Sequence, residues 1–297
     1  MQIQPKCLPG TMRKESGFSL VEILAVTTIG IVLMSMGVGA YQKLLKRGDL
    51  SQELAAGKTL GAAYQLYAAE NNGQLMPGYD KTAAPIELPD GSQISGPAAA
   101  RYLWRLAPYF EYNTDGIMYG KARQHAEEGT EQSGEAGYGE SLPPYGINAY
   151  FVGGYYEDGA WALAPSGSPG PGNETASSVG QVEKPSSLLV FATAKNDDSI
   201  GNHYVMAPRH VARNAGAAAL PQVDWPSNNT AASSGNVDFR YDNKAICVFF
   251  DGSVRTQTAE ELKDMRLWSK NAAVENNKDY APTKQTTGGG GRPGTSR

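Results

Sequence analysis

The hydrophobic pattern divides the chain before any motif is considered. Residues Phe18 to Tyr41, FSLVEILAVTTIGIVLMSMGVGAY, are apolar over roughly 24 positions. A helix of that length can cross the hydrocarbon core of a bilayer. Past Tyr41 the chain turns mixed, but no proline interrupts it before Met76. Leu50, Leu54, Gly57, Gly61, Tyr64 and Tyr67 recur at helical spacing, with Leu60, Ala63 and Leu66 beside them and Lys58, Gln65 and Glu70 on the other side. Asn71-Asn72-Gly73 reads as the stop, with Pro77 beyond it. The pattern predicts one helix of about 55 residues, near 80 Å if continuous. Sustained heptads are absent, which excludes a coiled-coil stalk.

Beyond Gly73 the pattern breaks into short pieces joined by long loops. Arg101 to Phe110, RYLWRLAPYF, predicts a short helix ended at Pro108. Residues 127–140 are acidic and glycine-rich and read as an exposed loop. Tyr145 to Val152, Ser187 to Thr193 and Ala245 to Phe250 read as strands, the last apolar enough to be buried on both faces. Asp251-Gly252 predicts a two-residue type I′ hairpin turn leading into a returning strand at Ser253–Thr256. Thr258-Ala-Glu-Glu261 is a capping box, opening a helix expected to run through Trp268. The predicted boundaries are a leader at 1–17, an apolar half-helix at 18–41, an amphipathic half-helix at 42–72, an α+β body at 73–272 and a polar, disordered tail at 273–297.

Composition narrows the class. In 297 residues the formal charge is −4, which argues against a nucleic-acid partner. The 35 glycines, 18 prolines and 16 tyrosines favour a loop-rich α+β body over a helical bundle. The two cysteines, Cys7 and Cys247, imply neither a metal motif nor a disulfide framework. No HExxH or GxSxG is present, and the spacing of His203 and His210 matches no helical zinc pair, so no catalytic residue is assigned.

Glu22 is the residue the apolar run does not explain. A carboxylate inside a membrane segment calls for a partner. Neither a plain signal anchor nor a signal peptide cut after Val38-Gly39-Ala40 supplies one. Lys6, Arg13 and Lys14 precede the run, and Gly17-Phe18-Ser19-Leu20-Val21-Glu22 opens it. This combination resembles the class III leader of type IV pilins and type II secretion pseudopilins. The resemblance implies cleavage after Gly17 by a prepilin peptidase and N-methylation of Phe18. It also implies a pairing of Glu22 with a mature N-terminal amine as subunits assemble. It further implies a pilin-like fold, in which a long N-terminal helix has a membrane half and an amphipathic half and packs on a C-terminal antiparallel β-sheet with long loops. The expected location is the inner membrane, single-pass, with the leader in the cytoplasm and the body in the periplasm, and then a pilus or pseudopilus. Expected partners are further copies or other pilins, the peptidase, an assembly ATPase, a membrane platform and lipid before assembly.

The C-terminal pieces resemble one pilin-like group that carries an H-x9-DG signature, but the histidine is missing. Tyr241, after Arg240, lies near its place, and the only Arg-His pair is Arg209-His210. Asp251-Gly252 is read as a structural corner rather than a ligand site. Asn196-Asp197-Asp198 offers the hard oxygen ligands that calcium takes, although a solvated turn is the preferred reading and no cofactor is assigned. The alternative function is a secreted or membrane-anchored β-rich binding module, with Trp161 and Trp225 suited to stacking on a carbohydrate.

Overall fold

A computed structural model describes residues 20–118, 120–157, 160–161, 174–196, 199–208 and 234–282. Helix α1 runs over Leu20–Glu70. The chain divides into two compact units, Met1–Gly48 and Asp49–Arg297, so α1 contributes to both.

Within the larger unit, short elements follow α1 in this order: β1 (Tyr79–Asp80), β2 (Ile86–Glu87), β3 (Gln93–Ile94), α2 (Gly96–Ala100), α3 (Tyr102–Leu106), α4 (Gly120–Ser133), β4 (Tyr145–Ile147), β5 (Tyr155–Glu157), β6 (Ala160–Trp161), β7 (Leu189–Thr193), β8 (Lys244–Phe249), β9 (Val254–Thr258), α5 (Ala259–Leu262) and α6 (Lys270–Glu275). Among the described residues the strands form three separate sheets, β1-β5-β6, β2-β3 and β4-β7-β8-β9. The last is antiparallel throughout, while β1 and β5 pair in parallel.

The four-stranded sheet lies between two apolar layers. Successive strand residues point to opposite faces. Ile147, Phe191, Ile246 and Val248 join Ala56, Leu60, Ala63, Tyr64 and Ala68 of α1 in one buried cluster. Leu189, Ala192, Ala245, Cys247 and Phe249 join Leu262, Met265 and Trp268 in the other. Both faces of β7 and β8 are covered, which accounts for their unbroken apolar sequences. Helix α1 approaches closely because it presents glycine there. A Cβ on Gly57 would come within 2.9 Å of the Tyr145 hydroxyl, and one on Gly61 within 2.9 Å of Val248 Cγ1.

The pilin-like fold that the resemblance implied is corrected here. The body is a mixed arrangement of short helices and small sheets, one of them with parallel pairing, rather than one antiparallel sheet on a two-part membrane helix. Among the described residues, no helix is long and apolar enough to cross a membrane.

Several local expectations also change. The loop expected at 127–140 is helical in its first half, because Ala122 and Ala126 of α4 are buried one turn apart. Of the strand expected over Tyr145 to Val152, only Tyr145–Ile147 forms a strand, and Val152 makes an isolated parallel bridge to Ala176. The chain also stays packed past residue 272: Ala273 of α6 is buried, and the Tyr280 hydroxyl donates to Glu174 at 2.8 Å. The remainder of the expected tail, 283–297, lies outside the described residues.

The hairpin after β8 has a different turn from the one predicted. Gly252 N–H donates to Phe249 O at 2.9 Å, and Phe249 N–H donates to Ser253 O at 2.9 Å. Only Gly252 of the loop has positive φ, at 81°. This is a three-residue loop closed by a glycine bulge, not a two-residue I′ turn. The I′ geometry occurs instead at Asp242-Asn243, with φ of 49° and 59°, between the bridged residues Tyr241 and Lys244.

Candidate functional site

The first part of α1 carries an apolar surface. Leu20 is 83 % exposed, Val21 71 % and Met34 75 %, and Ile23, Leu24 and Ile29 are each more than half exposed. The two threonines among them do not offset this. Thr27 Oγ1 and Thr28 Oγ1 both donate to Leu24 O, at 3.0 and 2.9 Å. Their hydroxyls bond the helix's own backbone rather than a partner. Glu22 is a residue of α1, and its side chain lies outside the described set, as do Gly17 and Phe18 altogether. The structure therefore places Glu22 on the same helical stretch as the exposed apolar residues and leaves the two processing residues unplaced.

The remaining sequence candidates do not converge. Asp251 Oδ1 accepts from Ser253 N–H at 2.9 Å, and hydrogen bonding from Ser253, side chain first and then backbone, holds the Asp251 carboxyl below its usual range. That makes Asp251 the cap of its own turn. Asp197, Asp198, His210 and Trp225 lie outside the described residues. Trp161 lies on β6, away in the sequence from any other candidate. Among the described residues, no group of three or more histidine, cysteine or acidic side chains is placed to hold a metal ion.

Tyr241 belongs to a polar node that the sequence reading missed. Arg240 Nη2 lies 2.8 Å from Glu53 Oε1, and Arg240 Nη1 lies 3.2 Å from Asp238 Oδ2. Glu53 is 2 % exposed. Nη2 also donates a hydrogen bond to Pro144 O at 2.7 Å, beside its ion pair with Glu53. Burial, and then the Glu53 charge with its hydrogen bond, pushes the Tyr241 hydroxyl upward. Burial likewise raises Asp238, although the Arg240 charge opposes the shift. The Tyr145 hydroxyl donates to Glu53 O at 2.6 Å. This node ties α1 to the strands, and a charged residue on the buried side of an amphipathic helix was the signal available for finding it.

His203 occupies a second buried polar position. Its ring lies 4.8 Å from the Tyr204 ring, 5.8 Å from Tyr155 and 6.1 Å from Tyr79. Its Nε2 is 3.4 Å from the Tyr155 hydroxyl, while its buried Nδ1 has no hydrogen-bond partner. Burial, and then the Arg101 guanidinium, pushes the imidazole well below the usual histidine range.

No family model matches the chain, and neither a curated protein nor a solved structure matches it. The identification with pilins and pseudopilins is corrected accordingly. It rested on a short leader and scattered C-terminal motifs, and no whole-family match accompanies them. The single-pass inner-membrane location is corrected with it, since no helix among the described residues is long and apolar enough to cross a membrane.

Proposed function

We propose that this protein is a structural subunit, without catalytic activity, of a filament in a pilus or a secretion apparatus. In this reading it assembles through the first part of α1 after cleavage at Gly17. Cleavage at Gly17 and methylation of Phe18 are carried over from the leader's resemblance to pilins. The observation that carries the reading is the set of exposed apolar side chains Leu20, Val21, Ile23, Leu24, Ile29 and Met34, on the same helical stretch as Glu22.

The surface that covers this stretch is the same stretch of further copies. Leu20–Met34 is about 22 Å long at 1.5 Å per residue. Burying a large aliphatic side chain is worth roughly 1.5–3 kcal/mol. Six such residues would contribute on the order of 10 kcal/mol, close to the 4–15 kcal/mol lost in translational and rotational freedom on association. An isolated pair is therefore marginal, and a polymer, in which each helix touches several neighbours, is not. Glu22 supplies the specificity. Cleavage after Gly17 leaves an amine at Phe18 that remains cationic when methylated, and a carboxylate buried among apolar helices needs such a partner. The leader's resemblance implies the partners: a prepilin-type peptidase, an assembly ATPase with its platform, and other subunits.

The test is the mass of the mature N-terminus together with electron microscopy of the product. The expected result is an N-methylated Phe18 and filaments, both wild-type properties, with filaments lost in Glu22→Ala while cleavage persists. An intact Met1 in the mature protein, or filaments unaffected by Glu22→Ala, would overturn the proposal.

A further inference from the structure

We infer that His203 is an acid-sensitive latch, holding the segment around residues 199–208 onto β4 when neutral and releasing it when protonated. The argument starts from the backbone. Ile147 N–H donates to His203 O at 3.2 Å, and Val205 N–H donates to Ile147 O at 2.9 Å. These bonds form the isolated parallel bridge between Ile147 and Tyr204. Gly201 N–H to Ala194 O, Asn202 N–H to Pro143 O and Met206 N–H to Gly235 O hold the segment on either side of this bridge, so the seating of the His203 side chain bears on the middle of the segment, where the bridge to β4 lies.

The seat accommodates only a neutral ring. His203 is 7 % exposed. A charged imidazole has two donors to satisfy. One faces the Tyr155 hydroxyl at 3.4 Å, and the other, on Nδ1, has no acceptor. The titratable and charged groups around the ring are Tyr79 of β1, Tyr155 of β5, the adjacent Tyr204 and Arg101, which lies between α2 and α3. None of these is anionic at neutral pH, and Arg101 is a cation. Asp80, beside Tyr79, directs Oδ1 to the backbone and hydroxyl of Thr82. Protonation in place would therefore bury a second positive charge near the first without an acceptor, which costs more than opening the segment to water.

The sign follows from linkage. The folded histidine binds its proton more weakly than the open one, so the open state takes up more protons and the closed state loses stability as pH falls. With the open-state value near 6.5, the opening equilibrium grows about tenfold between pH 7.5 and 5.5.

Hydrogen exchange on the full chain, read as protection relative to the intrinsic rate, tests this. The amides of Ile147 and Val205 are expected to lose about tenfold in protection from pH 7.5 to 5.5, while amides in the β8–β9 ladder keep theirs. In His203→Phe, which keeps a ring but cannot titrate, that pH response is expected to disappear. Should the variant fold poorly, the imidazole resonance of wild-type protein serves instead, with no titration expected in the closed state above pH 5.5. Any of three results would overturn the latch: an equal fall in the variant, an equal fall across β8–β9, or a folded imidazole titrating near its ordinary value.

Discussion

Arg240 Nη2 lies 2.8 Å from Glu53 Oε1, with the arginine side chain 14 % exposed and the glutamate 2 %. One residue belongs to α1, and the other sits just before the turn that opens β8. They meet beneath Tyr145, whose hydroxyl bonds the Glu53 carbonyl. A buried pair of this kind does not by itself argue for high stability, because desolvation offsets the attraction. It does make each partner dependent on the other. Arg240→Met is expected to destabilise the chain by about 3–5 kcal/mol, since it leaves the Glu53 carboxylate buried without its counter-charge. The double variant Glu53→Leu/Arg240→Met should recover most of that loss. Denaturant melts of the four proteins in a double-mutant cycle measure the coupling, and additive losses would show that the pair is not coupled.

Gly252 closes the β8–β9 hairpin with a φ of 81°. A Cβ there would lie 3.2 Å from Gln65 Nε2, the group that donates to Phe250 O at 2.9 Å. Gly252→Val is expected to cost more than about 1 kcal/mol through backbone strain alone. Asp251→Asn should be nearly silent in thermal melts, because an asparagine Oδ1 can accept the Ser253 N–H in the same way. A calcium-dependent loss of stability in Asp251→Asn alone would instead mark a cation site.

Asn148 is fully buried and donates from Nδ2 to two carbonyls, Leu189 O and Trp268 O, both at 3.0 Å. It links the central sheet to the C-terminal helices. Asn148→Asp would turn a carboxylate toward those two oxygens. At neutral pH the expected loss is roughly 3 kcal/mol or more. Its folded-state proton affinity would be raised above the ordinary value near 3.9. The deficit relative to wild type is then smallest below that value and grows as pH rises through the folded-state pKa. Stability curves of both proteins from pH 3.5 to 7.5 check the sign, and a deficit that shrank with rising pH would contradict it.

Cys247 faces Leu262, Met265 and Trp268 on the inner side of the sheet and is fully buried. Burial pushes its thiol far above the ordinary range, and the thiolate is the reactive form. In the native chain at pH 8, mass mapping after treatment with an alkylating reagent should find the peptide carrying Cys247 unmodified. The same peptide should be modified completely in denaturant. Native modification at a rate near that of a free thiol would show that the layer over β8 opens readily.

Some of this architecture is determined by short-range chemistry and could be read directly from the residues. Leu60, Ala63 and Tyr64 of α1, the strands at β7 and β8, and the Thr258–Glu261 capping box follow from periodicity and from a side chain reaching three residues along the chain, whereas Leu66, read beside them, is exposed. The Gly252 turn was located correctly, but its loop length was not, because Asp-Gly serves two hairpin geometries and strand register decides between them. The acidic stretch after Arg123 shows the opposite limit. Its glycines and glutamates suggest a loop, yet Ala122 and Ala126 of α4 are buried, and Gly139 from the second half of the same stretch comes close against Ala126. Only the tertiary structure could bring Glu53 to Arg240, or enclose His203 with Tyr79, Tyr155 and Arg101. Those partners are separated by tens to nearly two hundred positions, and a charge or an imidazole in sequence carries no mark of the dielectric in which it will sit. The leader motif is a purely local pattern of the same kind. In the proposed reading it would say where a peptidase cuts, whereas the body's layering was decided by which faces of β4, β7, β8 and β9 found apolar surface to cover them.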